Sequence, residues 1–68
     1  MILNDVGQRI RELRNNVGLS QEKLALKAEI DRTYLAGVEQ GKRNLSLKSL
    51  EKIINALDIS FQEFFDGI

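Results

Sequence analysis

Residues 20–41 read SQEKLALKAEIDRTYLAGVEQG, and this stretch decides the fold. Its apolar residues recur every three to four positions, which is typical of amphipathic helices. Ser20 and Asp31 each precede such a segment and are favoured helix N-caps, and the closing glycine suits a helix end. The stretch therefore predicts two short helices, one from Gln21 to about Ala28 and one from the Asp31 cap to about Gln40.

Only Glu29, Ile30 and Asp31 separate the two predicted helices. A connection this short makes the helices cross at a steep angle, as in a helix-turn-helix unit. Close crossing needs small inner side chains, which Ala25 and Ala28 provide. We expect an apolar wedge to hold the second helix in place, formed by Ile30, Leu35 and Val38. An ordinary helical hairpin is the alternative interpretation, but it does not explain why caps, small residues and wedge agree.

Three further helices flank this unit. The first runs from about Asp5 to Asn16, with Asn4 as its N-cap and Gly18 as its left-handed C-terminal cap. Ser46 caps a fourth helix, whose apolar residues are Leu47, Leu50, Ile53, Ile54 and Leu57. Ser60 and Glu63 form a capping box that opens a fifth. No segment alternates with a period of two, so we predict an all-α fold with five helices in one domain, residues 1–68.

The composition argues against several classes of protein. There is no Cys and no His, which removes the usual zinc ligands and the commonest general base. The sequence has no glycine-rich phosphate loop and no paired carboxylates at a catalytic spacing, so we expect no enzyme, no cofactor, no metal and no small-molecule substrate. No apolar run approaches the roughly 20 residues that span a bilayer, and no secretory-type leader is recognisable. We therefore expect a cytoplasmic protein without membrane contact.

The net charge of zero conceals a polarised distribution. Residues 9–48 carry nine basic and five acidic residues, a net charge of +4, whereas residues 49–68 carry one basic and four acidic residues, a net charge of −3. A local basic face matters more for DNA binding than the sum over the chain. The charge pattern therefore permits a nucleic-acid surface in the first two thirds of the chain.

Three segments together resemble a known family: Ser20–Ala25, Asp31–Leu35 and Glu39–Leu47. They resemble the phage-repressor and Cro type of helix-turn-helix, the Xre family, and are most similar to the controller proteins of restriction–modification systems. The resemblance implies a lambda-repressor-like fold and a sequence-specific transcriptional regulator. Such a regulator binds double-stranded DNA as a homodimer on a (pseudo)palindromic operator.

One residue departs from the family pattern. Glu29 occupies a turn position where the family often has Gly or Asn. If the backbone is left-handed there, a residue with a Cβ costs on the order of 1 kcal/mol.

The resemblance implies base contacts from the start of the third helix. Arg32 can bind the O6 and N7 of guanine in a bidentate manner, and Thr33 can offer its hydroxyl or its methyl group. The alternative for Arg32 is an ion pair with a surface acid. Tyr34 is predicted to reach a phosphate or stack near a base, or else to lie on the surface near the turn. Gly37, costly in mid-helix, indicates a close approach either to DNA or to the fourth helix.

Phosphate contacts are predicted from two regions beside that helix. The resemblance assigns one to Gln21 at the start of the second helix, where free N–H groups and the helix dipole suit an anion; a solvated glutamine is the alternative. The other predicted contacts come from the loop after the third helix and from the fourth helix: Lys42, Arg43, Asn44 and Lys48. A basic loop in this place can clamp the sugar–phosphate backbone without reading sequence.

Arg14 and Glu39 are predicted to be structural. The resemblance implies that they form a partly buried ion pair, so we assign them to architecture rather than to recognition.

The last helix carries an apolar stripe of Phe61, Phe64, Phe65 and Ile68, at positions i, i+3, i+4 and i+7. Part of the stripe closes the core of the monomer. A chain of 68 residues has little core for so many large side chains, so we predict that the stripe also forms a homodimer interface. The alternative to a DNA regulator is an interaction module, such as an antitoxin-type partner protein, which would bind DNA weakly or without specificity.

Overall fold

The computed structural model describes residues 1–68 as five α-helices. These are α1 (Ile2–Asn16), α2 (Gln21–Ala28), α3 (Arg32–Glu39), α4 (Leu47–Ala56) and α5 (Phe61–Asp66). The chain contains no strand, which confirms the predicted all-α class. None of the five helices has the length and apolar character that crossing a bilayer requires.

Four of the helices begin at the predicted caps. The side chains of Ser20, Asp31, Ser46 and Ser60 each accept a hydrogen bond from the backbone N–H three residues later. Such a cap satisfies one of the N–H groups that the first helical turn leaves without a partner. At Ser60 only half of the predicted box forms, because Glu63 N donates to Ser60 Oγ at 3.1 Å and the Glu63 carboxylate does not return the bond.

The predicted start of the first helix is wrong. α1 begins at Ile2, Met1 is its N-cap, and Asn4 lies inside the helix. Asn4 packs against Gly41 at the end of α3, where a Cβ on the glycine would lie 3.2 Å from the Asn4 Cα. This tertiary contact favours the extra turn, and no breaker residue opposes it.

The connection between α2 and α3 is left-handed at Glu29, which has φ 58° and ψ 45°. This conformation lets Ile30 N donate to Ala25 O at 3.0 Å and turns the chain sharply into α3. Ala25 and Ala28 are buried beneath the crossing, and Ile30 is half-buried. The structure thus has the helix-turn-helix geometry that the short connection predicts.

The core consists of thirteen apolar side chains from all five helices. Its fully buried large members are Ile10, Leu24, Leu35, Ile53, Ile54 and Phe64. Leu47 does not join them, contrary to its assignment to the apolar face of the fourth helix. It is 81% exposed because it is the first residue of α4 and extends past the packed part of that face.

Candidate nucleic-acid interface

The exposed start of α3 presents two free polar side chains. Arg32 and Thr33 are both exposed, directly after the Asp31 cap. The four ion pairs of the structure use other basic residues, so the surface pair considered for Arg32 does not form. Both side chains are therefore available to a ligand in front of the helix.

The loop after α3 folds back onto that helix. Gly41 adopts φ +74°, and its N–H donates to Val38 O at 3.0 Å. Lys42 N then donates to Gly37 O at 2.9 Å. This pair of bonds is the Schellman pattern, which closes a helix end through a left-handed glycine. It brings residues 42–44 alongside α3 instead of letting them extend into solvent.

Tyr34 contacts this loop through both its hydroxyl and its ring. Its hydroxyl donates to Asn44 O at 3.0 Å, and the Arg43 guanidinium carbon lies 5.4 Å from the centre of its ring, within cation–π range. The hydroxyl proton is therefore already used in a hydrogen bond within the chain. A phosphate oxygen could accept a hydrogen bond from this hydroxyl only if the bond to Asn44 broke, so in this conformation Tyr34 supports the loop.

The atoms nearest to a Cβ on Gly37 belong to the loop after α3, not to DNA-facing solvent or to the fourth helix, the two explanations that the sequence offered. A Cβ built on Gly37 would collide with Arg43 Cγ, and the next nearest atoms are Arg43 Cδ at 3.4 Å and Arg43 Cβ at 3.5 Å. The Arg43 side chain therefore covers Gly37, which is half-buried. In this conformation a ligand reaches Gly37 only after Arg43 moves.

Gln21 is half-buried at the first position of α2, and its side chain points into the domain. Its Nε2 donates to Glu39 Oε1 at 3.1 Å. The amide group thus keeps one further N–H for an outside acceptor. The backbone N–H groups of Gln21 and Glu22 precede the first helical hydrogen bond and remain available as well.

Arg14 and Glu39 form the predicted pair between α1 and α3. Arg14 Nε lies 2.8 Å from Glu39 Oε2, Arg14 Nη2 lies 3.0 Å from Oε1, and Glu39 is only 3% exposed. Burial alone raises the pKa of the Glu39 carboxyl. Hydrogen bonds from Arg14, Gln21 and Arg11, together with the Arg14 charge, outweigh burial and hold that pKa below its ordinary value of 4.5.

The buried pair also shapes the charge of the surface around α3. Residues 32–48 contain four basic residues, which are Arg32, Lys42, Arg43 and Lys48, and all four are exposed. Glu39 is the one acid in this segment, and it is buried and neutralised by arginines of α1. The segment therefore exposes positive charge only, which suits a polyanion.

The apolar stripe of α5 is divided between core and surface. Phe61, Phe65 and Ile68 are 42%, 41% and 47% exposed, whereas Phe64 is completely buried. The assignment of Phe64 to a dimer interface is therefore wrong, because this ring already fills the core of the monomer. It also meets Phe65 edge to face, with ring centres 5.0 Å apart.

Two structural residues were missed by the sequence analysis. Arg9 Nε donates to Phe64 O and its Nη2 to Glu63 O, both at 2.8 Å, so α1 supplies a cation to the C-terminal end of α5. No local signal connects residues so far apart in sequence. Gly7 is buried where α1 meets α3, and a Cβ there would lie 2.8 Å from Glu39 O. A glycine inside a predicted helix was the available signal.

Comparison with known proteins agrees with this geometry. A family model described as helix-turn-helix matches residues 10–64. The chain belongs to the helix-turn-helix family. The control protein C.MunI from Mycoplasma sp is 42% identical over an alignment of 71 positions, which covers 97% of this chain and 96% of that protein.

The solved structures of two restriction–modification controller proteins show the same arrangement. The restriction–modification controller protein C.AhdI from Aeromonas hydrophila is 52% identical, with a TM-score of 0.90 over 94% of this chain and 97% of that one. The wild-type controller protein C.Esp1396I is 42% identical, with a TM-score of 0.94 over 98% of this chain and 86% of that one. These similarities confirm the resemblance to controller proteins and the lambda-repressor-like, five-helix fold.

C.Esp1396I has also been crystallised with DNA. One complex contains a 19-base-pair duplex, and another contains the C.Esp1396I tetramer on its natural 35-base-pair operator. Three variants of C.Esp1396I, each replacing one residue of a consecutive Arg-Thr-Tyr triplet, have known structures too. The present chain has the same triplet at Arg32–Tyr34.

Proposed function

We propose that this protein is a sequence-specific DNA-binding transcriptional regulator of the controller type, acting in the cytoplasm as a homodimer on a (pseudo)palindromic operator. One observation carries the proposal. The start of α3 exposes two unpaired polar side chains within a segment whose exposed charges are all positive. The controller proteins that this chain resembles, including one crystallised on its operator, support the same role.

The proposed reading of DNA places α3 in the major groove. Such a helix contacts base edges with its first residues, where Arg32 and Thr33 lie. Arg32 can bind the O6 and N7 of one guanine, an interaction that discriminates by about 1–3 kcal/mol. Thr33 can bind a base through its hydroxyl or a thymine through its methyl group.

Contacts to the sugar–phosphate backbone of the DNA hold α3 in register. Lys42 and Lys48 are exposed, and Asn44, which is also exposed, lies between them in the sequence. The start of α2 offers the backbone N–H groups and the remaining amide N–H of Gln21 to one more phosphate. These contacts fix orientation and carry no sequence information directly.

Dimerisation determines how long a DNA site the protein recognises. One domain covers a short half-site, and a two-fold pair reads two half-sites about one helical turn apart. The exposed part of the α5 stripe, Phe61, Phe65 and Ile68, is the surface we assign to this contact. Because binding then depends on association, occupancy of the operator rises steeply with protein concentration.

Selection of bound sites from randomised duplex DNA tests the proposal. We expect the wild-type protein to enrich a two-fold symmetric motif with half-sites about 10 base pairs apart. Arg32→Ala should lose the preference at one position in each half-site. Lys52→Ala removes the same charge outside residues 32–48 and should keep the full motif. No enrichment by the wild-type protein contradicts the proposed function.

The salt dependence of binding separates the two classes of contact. Lys42→Ala should weaken all duplexes evenly and reduce the slope of log K against log salt by about 0.9 for each phosphate that the lysine no longer neutralises. In a symmetric dimer this amounts to roughly twice that value. An unchanged slope excludes Lys42 from the phosphate contacts.

A further inference from the structure

Gly37 lies in the middle of the recognition helix α3, where glycine is among the least favourable residues. Its backbone is helical and does not need a left-handed conformation, unlike that of Gly18 or Gly41. Backbone geometry therefore gives no reason for a glycine here, and the reason must lie in what touches it.

The neighbour that a side chain at position 37 would meet first is Arg43. The stem of Arg43 lies on the Gly37 backbone, since Arg43 Cβ, Cγ and Cδ are the three nearest atoms to a Cβ built there. The guanidinium reaches the ring of Tyr34, which lies one helical turn before Gly37 on the same face. Arg43 thus runs along α3 from Gly37 to Tyr34.

The residues on both sides of Arg43 are bonded to the same helix. Lys42 N donates to Gly37 O at 2.9 Å, and Asn44 O accepts from the Tyr34 hydroxyl at 3.0 Å. The backbone of Arg43 is therefore held at two points, and the remaining freedom belongs to its side chain. Whether that side chain lies along α3 depends on the space above Gly37.

We infer that Gly37 is a positioning residue, which lets Arg43 lie along the exposed face of α3 and so sets how Arg43 contacts DNA. This inference rests on the proposed function. It replaces a direct contact between Gly37 and a base with an indirect role through Arg43.

The arrangement predicts a specific effect of Gly37→Ala. Arg43 is exposed, so a methyl group at position 37 pushes a flexible side chain aside without disturbing the core. The variant should fold at least as well as the wild-type protein, because alanine favours the helix. Its affinity for the selected duplex should nevertheless fall by roughly tenfold, the size of effect expected from a disturbed charged interaction.

A double-mutant cycle on the selected duplex is the test, using Gly37→Ala, Arg43→Ala and the combined variant. If Gly37 acts through Arg43, adding Gly37→Ala to Arg43→Ala should cause no further loss of affinity. An equal additional loss in the Arg43→Ala background overturns the inference, because the methyl group would then clash with DNA directly. Wild-type affinity in Gly37→Ala overturns it as well.

Tyrosine fluorescence of the free protein provides a readout that does not use DNA. Tyr34 is the only tyrosine, and the chain has no tryptophan. Removing Arg43 from its ring should change the emission, and Gly37→Ala should produce the same change as Arg43→Ala. An unaltered spectrum in Gly37→Ala overturns the inference. If the wild-type protein binds no duplex, the proposed function fails; if it binds and Gly37→Ala binds equally well, only the inference fails.

Discussion

Arg14 of α1 holds Glu39 of α3 through two hydrogen bonds, from Nε at 2.8 Å and from Nη2 at 3.0 Å. Its third nitrogen, Nη1, donates to Leu19 O at 2.8 Å, just before α2. Gln21 completes the arrangement by donating to the same carboxylate. One buried acid therefore connects the first helix to both helices of the DNA-binding unit.

Removal of this acid should destabilise the domain severely. Glu39→Ala leaves the Arg14 guanidinium, whose side chain is 12% exposed, without its partner. Breaking one side of a buried pair costs roughly 3–5 kcal/mol. Glu12→Ala is the matched control, because it breaks an exposed pair with Arg9 that contributes about 1 kcal/mol or less. Urea unfolding of both variants measures the difference, and equal midpoints would show that the Glu39 pair contributes no more than a surface pair.

The same carboxylate should make stability depend on acidic pH. Its pKa lies below 4.5 in the folded protein, so the folded state binds the Glu39 proton less tightly than the unfolded chain does. The resulting stabilisation is complete above the unfolded pKa and is lost as the pH falls through the folded pKa. In the wild-type protein the free energy of unfolding should therefore fall as the pH is lowered through the unfolded and then the folded pKa of Glu39. We expect this fall to be smaller in Glu39→Gln, which has no proton to bind at this position. Parallel curves for the variant and the wild-type protein would refute this assignment.

Gly7 and Gly37 should respond in opposite directions to the same substitution. A Cβ at Gly7 meets the backbone oxygens of Val38 and Glu39, which cannot move without separating α1 from α3. Overpacking of this kind costs about 1–3 kcal/mol. The nearest atoms to a Cβ at Gly37 belong to the flexible side chain of Arg43, so the helical preference of alanine should dominate there, with a gain of up to about 1 kcal/mol. Thermal unfolding of Gly7→Ala and Gly37→Ala tests the pair, and a stabilised Gly7→Ala variant would contradict it.

The sequence predicted the features that local chemistry controls. Ser20 and Asp31 mark helix starts because their side chains satisfy N–H groups only three residues away. Ala25 and Ala28 indicated the crossing of α2 and α3 because a three-residue connection leaves few other arrangements. Helix order, four of the five N-caps and most of the inner faces could therefore be assigned without knowing the tertiary structure.

Features that depend on distant residues could not be predicted. Phe61, Phe64 and Phe65 share one helical stripe, and only the packing of α5 decides that Phe64 is buried while its neighbours are half exposed. The bond from Arg9 to Phe64 O joins residues 55 positions apart. The place of Arg43 on Gly37 likewise depends on how the loop turns back, which composition does not encode.

The left-handed turn at Glu29 offers a stabilising substitution. Glu29 has φ 58°, is exposed, and takes part in no ion pair, so Glu29→Gly removes strain without breaking an interaction of the side chain. We expect a gain of up to about 1 kcal/mol, which raises Tm by roughly 4–8 °C in a domain of this size. Gly18→Ala is the reverse experiment, because Gly18 has φ +74° and open space around it, so only backbone strain acts. Calorimetry should show Tm rising in the first variant and falling in the second; a lower Tm for Glu29→Gly would show that the turn tolerates glutamate without strain.

The exposed part of the α5 stripe should control association. Phe61→Glu places a charge where a ring is 42% exposed, so the monomer can keep its fold while two copies no longer share an apolar surface. Leu26→Glu is the control, since Leu26 is 79% exposed on α2, outside the stripe. Phe64→Ala should instead reduce the free energy of unfolding by about 3–5 kcal/mol, because loss of this ring leaves a cavity in the core. Sedimentation of the folded variants gives the result: a monomer for Phe61→Glu and a wild-type dimer for Leu26→Glu support the assignment, whereas a dimeric Phe61→Glu moves the two-fold contact to another surface.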